Sequence, residues 1–155
     1  MADDKRSTFL VTNVDEKAAV LRDVTDGQVH TLADPPQLET DEILEATLRP
    51  EPPMAVTWQL VDVDRRWTIP LEESPERPTR QERDIAADQA VGEVTRRDRA
   101  GEGELHVISV PPGETAGAVA DVLDDEATLA RAARLSVSRV EVRAAEGMVS
   151  VRYMP

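Results

Sequence analysis

Between residues 8 and 33 apolar and polar side chains alternate with a period of two, the pattern of strands that bury one face. Thr8 to Val14 is the first run, Asp15-Glu16-Lys17 turns the chain, and Ala18 to Val24 is the second. Asp26-Gly27 is a hairpin turn signal, and Gln28 to Ala33 follows as a third strand. Asp34-Pro35-Pro36 breaks the pattern. A fourth strand is expected over Glu42 to Leu48 and a fifth over Ala55 to Val63. Asp64-Arg65-Arg66 reads as a turn into a sixth, Trp67 to Leu71. Five or six short strands without a helical period predict a small barrel. The stretch Leu38 to Leu48 resembles the entry into the penultimate strand of OB-type barrels. The helix such folds carry after their third strand is missing here, or reduced to Gln37 to Thr40.

Residues 72 to 79, Glu-Glu-Ser-Pro-Glu-Arg-Pro-Thr, change the pattern. Two prolines among polar residues predict an extended linker. Thr79 and Glu82 have the spacing of a capping box, so a helix should run from there to about Thr95. Its apolar stripe is Ala87, Ala90, Val91 and Val94. Arg96, Arg97 and Arg99 would sit at its C-terminal end, where positive charge suits the helix dipole, and Gly101-Glu102-Gly103 would close it. Leu105 to Val110 reads as a strand, and Pro111-Pro112-Gly113 as a turn into a helix near Thr115. Asp124-Asp125 should break and recap that helix, leaving a second to about Leu135. Val137 to Arg143 and Met148 to Tyr153 form a hairpin across Ala144-Ala145-Glu146-Gly147. Its apolar face is Val140, Val142, Val149, Val151 and Tyr153. Its polar face is Arg139, Glu141, Arg143, Ser150 and Arg152. The expected fold class is therefore α+β: an OB-like antiparallel β-barrel over 1–73, a linker over 74–79, and a small α+β layer over 80–155. That layer comprises a helix, a strand, a helix pair and a β-hairpin.

Composition adds the solvent. The 155 residues carry 31 acids against 18 bases, a net charge of -13, with 16 arginines and two lysines. The acids are dispersed: residues 1–74 hold 16 acids and 7 bases, 75–100 hold 6 of each, and 101–155 hold 9 and 5. Aromatics are Phe9, Trp58, Trp67 and Tyr153 alone, whereas Ala and Val number 19 each. Many carboxylates, scarce lysine and small apolar residues fit a protein built for molar salt. There the Debye length is about 3 Å and self-repulsion is weak, and exposed hydrocarbon is disfavoured. The stretches Ala19–Val24, Leu48–Met54, Asp84–Thr95 and Arg139–Arg143 resemble a haloarchaeal protein family of unknown function along the whole chain. That resemblance implies a high-salt cytoplasm and no particular activity.

Chemistry is mostly excluded. Without cysteine there is no disulfide, thiolate metal site or cysteine nucleophile. The apolar runs are too short to span a bilayer and Met1 to Arg6 has no signal-peptide core, so a cytoplasmic protein without membrane partners is expected. His30 and His106 stand in separate strands without a second ligand at i+2, and Asp34, four residues past His30, falls in the Asp34-Pro35-Pro36 break. No phosphate loop, nucleophile elbow or dinucleotide fingerprint is present. The Pro111–Ala118 segment follows a strand and opens a helix but lacks a lysine. No catalytic residue, cofactor or metal site is assigned. Two clusters stand out. Trp58 and Trp67 with Arg65 and Arg66 match the way OB-type modules stack and hold single-stranded nucleic acid, with Trp67 the better stacking candidate and Trp58 more typical of core. Arg96, Arg97 and Arg99, with their neighbours, match phosphate holding. The leading expectation is a non-enzymatic binding module for single-stranded nucleic acid or a nucleic-acid-handling complex. The second is a protein adaptor docking through the Ala/Val helix and the final hairpin; the third is an enzyme with an unrecognised site.

Overall fold

The structure is a computed structural model that describes residues 3–54, 56–99 and 102–155. The expected start of a strand at Ala55, the Gly101 of a closing turn and the Met1-Ala2 end lie outside the described residues. The chain divides into two compact units. One comprises the chain up to Ile69 with Leu129–Arg134; the other comprises Pro70–Thr128 and Leu135–Pro155.

The first unit is a ring of five strands, β1 (Lys5–Val14), β2 (Ala18–Asp23), β3 (Val29–Ala33), β4 (Ile43–Pro50) and β5 (Trp58–Trp67). Their order is β1-β2-β3-β5-β4, closed by β1 against β4. Side chains make the turns. Asp15 Oδ1 accepts from the N–H groups of Lys17 and Ala18 at 2.9 Å each, and Asp23 Oδ1 accepts from Thr25 N–H at 2.8 Å. Gly27, at φ +77°, completes the Asp26-Gly27 turn with a conformation that suits glycine. The interior is Phe9, Val11, Ala19, Leu21, Leu32, Leu38, Leu44, Ala46 and Leu48. Leu44, Ala46 and Leu48 alternate inward while Glu45 and Thr47 look outward, so the period of two does set the buried face.

Three expectations need correction here. The ring is not wholly antiparallel: β3 and β5 meet in parallel at Leu32 and Trp58. Asp64-Arg65-Arg66 is not a turn. β5 runs straight through it, with Arg65 opposite Glu45, Arg66 opposite Leu44 and Trp67 opposite Ile43. The three polar residues contain no glycine or proline to stop a strand, and irregularities opposite Glu45/Ala46 and Thr47/Leu48 absorb the register. The strand expected over Trp67 to Leu71 is therefore absent.

The second unit is a five-stranded sheet in the order β6-β9-β10-β8-β7, with β6 (Leu71–Glu73), β7 (Val94–Asp98), β8 (Glu104–Ser109), β9 (Arg139–Ala145) and β10 (Met148–Met154). Helices α1 (Arg80–Ala87), α2 (Thr115–Asp124) and α3 (Glu126–Arg134) complete the chain; the unit division runs through α3. Within the first unit, Arg134 donates to the Val24 carbonyl at 3.3 Å. The segment after Glu73 is tied to this sheet, because Ser74 N–H donates to the Val142 carbonyl at 2.7 Å and Pro78 is buried. The Thr79–Glu82 capping box is present, and Asp125 separates α2 from α3, its Oδ1 accepting from Ala127 N–H at 2.9 Å. The Gly147 turn sits at φ +81° between Ala145 and Met148.

The helix expected to reach Thr95 stops at Ala87. Gln89 folds back instead, its Nε2 donating to the carbonyls of Val107 (2.9 Å) and Glu93 (3.1 Å). Gly92, at φ +91°, then reverses the chain into β7. Arg96 and Arg97 are thus strand residues, with Arg99 just beyond, and cap no helix. Of the expected stripe, Ala87, Ala90, Val91 and Val94 are all exposed; Ile85 and Ala86 are half-buried and Glu82 is buried. The hairpin's second face is also covered, since Ser150 and Met148 are buried beside the valines.

Candidate functional site

The aromatic and arginine residues chosen on β5 do not converge. Trp58 opens the strand and Trp67 ends it, about 30 Å apart at the usual strand rise. Trp58 packs on the ring interior and meets the His30 ring edge-on at 4.6 Å. Trp67 is half-buried, with the Arg65 guanidinium 4.0 Å from its ring centre and its indole N–H buried without an acceptor. Arg66 is held by Glu42 through two bonds of 2.7 and 2.9 Å, and by the Gln37 carbonyl at 3.0 Å. Burial pushes the Glu42 carboxyl up, but Arg66 outweighs it and holds the acid below its ordinary range.

The other arginines of the first unit are engaged as well. Arg6 pairs with Asp64 at 3.1 Å and Arg49 with Asp4 through bonds of 2.9 and 3.0 Å; Arg22 is partnered too. A cluster that the sequence did not reveal joins β1, β2 and β3. Lys5 Nζ lies 3.0 Å from Asp23 Oδ2, 2.7 Å from Asp26 Oδ2 and 3.0 Å from His30 Nε2. Burial lowers the His30 pKa first, and the Lys5 ammonium lowers it further. A neutral His30 accepts from Lys5 at Nε2, which leaves the proton on Nδ1; that atom is buried without a partner. Desolvation works against the Lys5 charge, yet Asp26 and Asp23 raise its pKa overall. Lys5, Asp23, Asp26 and His30 lie up to 25 residues apart along the chain, a separation that one-dimensional patterning does not join.

The second unit treats arginine differently. Arg143 pairs with Glu76 at 2.7 Å and with Glu141, and Arg152 reaches Glu141 at 3.3 Å. Arg80, Arg83, Arg96, Arg97 and Arg99 have no carboxylate in ion-pair range among the described residues. Arg96 and Arg97 lie on β7, an edge of the sheet, with opposite faces. Register places Arg97 opposite Leu105 on β8, and Leu105 opposite Arg152 on β10. Arg97, Arg99, Arg152, Leu105 and Thr79 line a cleft of about 380 Å³, with Glu82 and Asp98 also at its wall. Arg97 borders a second cleft of about 600 Å³ with Arg80, Asp84 and Gln89. Glu82 is 1% exposed; it accepts from the Ser150 hydroxyl at 3.0 Å and from Thr79 N–H at 3.5 Å. His106 lies 2.9 Å from Glu104 and 4.9 Å from the Tyr153 ring centre. Among the described residues no three His, Asp or Glu side chains come together as a metal site, and no helix is long and apolar enough to cross a membrane.

One family model matches the chain, over residues 5–144, and its description is a family of unknown function (DUF5812). No curated protein matches, and no solved structure does.

Proposed function

The chain belongs to the DUF5812 family, whose function is unknown, and we propose that it is a non-enzymatic module that binds single-stranded nucleic acid or a nucleic-acid-handling complex. One observation carries this reading. In a chain with 31 acids and 18 bases, Arg97 and Arg99 line one cleft at a sheet edge, with Arg96 on the other face of that edge, and none of the three has a carboxylate in ion-pair range among the described residues. Guanidinium forks left free in so acidic a chain suit phosphate. The ring order and its closure support an OB-type barrel as the companion unit, with Arg65 stacked on Trp67 as its most suitable contact for a base. The composition supports work in the molar salt of a halophile's cytoplasm, where phosphate attraction is screened and directed arginine bonds and stacking matter more.

The test is fluorescence anisotropy of labelled single-stranded oligonucleotides in about 2 M KCl. Wild type should bind at micromolar concentration, and the double variant R97A/R99A should weaken binding at least tenfold. No binding by wild type ends the nucleic-acid reading.

The adaptor reading keeps one supporting observation. Met54, Val56 and Val29 of the first unit are 79%, 73% and 64% exposed, and Val91 and Val94 are also open. In the second unit its docking surface would be Val91 and Val94 and not the final hairpin, whose valines are buried.

A further inference from the structure

We propose that the cleft beside Thr79 is a site for a phosphate monoester: inorganic phosphate, a mononucleotide or the phosphorylated end of a nucleic acid. The polymer end alone rests on the nucleic-acid reading above; the phosphate site does not.

The argument begins with strand geometry. Arg97 leaves β7 on one face, and Arg99, just beyond the end of the strand, lines the same cleft. Thr95 shares that face and, like Arg97, lines a cleft with Arg80, Asp84 and Ile85, which places the face toward α1. Arg152 enters from β10, in register with Arg97 through Leu105. β7 and β10 are two strand spacings apart, about 10 Å. An arginine side chain reaches roughly 6–7 Å, so these groups can close on one tetrahedral anion between them. Leu105 and the buried Glu82 close the wall of the cleft.

Charge and donor count then select the ligand. Glu82 is occupied by the Ser150 hydroxyl and Thr79 N–H, so it is not a free partner for the arginines. Arg152 keeps its bond to Glu141, while Arg97 and Arg99 have no carboxylate in range among the described residues. The first turn of α1 adds to the field at this end: Thr79 Oγ1 takes the Glu82 N–H, and the helix N-terminus carries partial positive charge. A phosphomonoester presents three terminal oxygens and nearly two charges near neutral pH. That matches three guanidinium forks opposed by Glu82 and Asp98. An internal phosphodiester presents two free oxygens and one charge and must pass through the cleft at both ends. The walled shape and the third arginine favour the terminal group.

Titration calorimetry with inorganic phosphate in KCl tests the site, with oligonucleotides bearing a 5′-phosphate, a 3′-phosphate or neither as further arms. Wild type should bind inorganic phosphate. Arg99→Ala and Arg97→Ala should each weaken it at least tenfold, whereas Arg139→Ala, on β9, should not. Arg99→Lys and Arg97→Lys keep the charge and the stem but lose the fork; they should fall between, which guards against a variant that fails to fold. A phosphorylated oligonucleotide should bind more tightly than its unphosphorylated counterpart, and R97A/R99A should erase the difference. Phosphate binding with no response to any oligonucleotide supports the site and removes the polymer reading. Absence of phosphate binding, or binding that survives R97A/R99A unchanged, overturns the site even if oligonucleotides bind elsewhere.

Discussion

In the five-stranded ring every arginine has an internal use: Arg6, Arg49 and Arg66 face carboxylates, Arg65 covers Trp67, and Arg22 is partnered. At the β7 edge of the other sheet, Arg96, Arg97 and Arg99 have no such partner among the described residues. Residues 1–74 hold 16 acids for 7 bases, and Arg6, Arg49 and Arg66 each meet a carboxylate there; residues 75–100 hold equal numbers. Position on an open edge completes the effect. The comparison teaches that an arginine pairs where neighbouring strands bring a carboxylate within reach, and that Arg96 and Arg97 stay open to solvent at the β7 edge.

The largest expected effect is that of salt. Moving the protein from about 2 M to about 50 mM KCl should unfold it, and the acid-rich ring should go first, as unscreened carboxylates repel. Both tryptophans lie in the ring, so their fluorescence reports that unit, while far-ultraviolet circular dichroism reports both. Equal stability at the two concentrations would sink the contrast. Next comes the ring interior. Phe9 is fully buried, and Phe9→Ala should cost about 3–5 kcal/mol in a denaturant melt followed by tryptophan fluorescence. An unmoved midpoint would remove Phe9 from the core. Third, Trp58→Ala should cost more than Trp67→Ala, about 2–3 against about 1 kcal/mol, because Trp58 packs on the interior and Trp67 lies beneath an exposed guanidinium. The reverse ranking would make Trp67 the structural residue.

The fourth effect is one of pH. Burial and Lys5 depress the pKa of folded His30, whereas the unfolded chain takes that proton near pH 6.5. Stability from this group is therefore complete above about 6.5 and is lost as pH falls from there toward the depressed value. Glu42, Asp26 and Glu141 are depressed too, but as carboxylates they lose their contribution only at lower pH, below about 4.5. Melts at pH 7.5 and 5.5 should differ for wild type and agree for His30→Leu; a persistent difference would assign the effect to another group. The smallest effect separates the two kinds of arginine directly. Arg66→Ala should lose about 0.5–1 kcal/mol, whereas Arg97→Ala should stay within about 0.5 kcal/mol of wild type in the absence of ligand. Equal losses would show that Arg97 is structural after all.

Much of the fold was legible because its signals are local. The Asp26-Gly27 turn, the Thr79–Glu82 cap, the Asp125 break and the Gly147 hairpin each depend on a few adjacent residues. The fourth strand, expected over Glu42 to Leu48, is present as β4, and Leu44, Ala46 and Leu48 alternate into the interior. The misreadings fall where a distant partner decides. Asp64-Arg65-Arg66 looked like a turn until β4 supplied a strand to pair with. Asp88 to about Thr95 reads as more helix, since Ala90, Val91 and Val94 keep helical spacing, but Gln89 and Gly92 hand the chain to β8. The candidate site suffered most. Arg97 and Arg99 were noticed for their charge, yet Arg152 and the Leu105 row that join them to a cleft lie across two strand pairings.

The sequence by itself determined the α+β class, the positions of the tight turns and caps, the absence of cysteine chemistry and the acidic character. Each of these follows from residue type or from spacings of a few residues. Tertiary structure alone decided which strands meet: the parallel contact of β3 with β5, the passage of Leu71–Glu73 to β9, and the end of α1 at Ala87. It also decided which arginines keep a partner. An ion pair forms between side chains within 4 Å, and residues such as Arg49 and Asp4, or Arg66 and Glu42, come that close only once strands far apart in sequence have found their register.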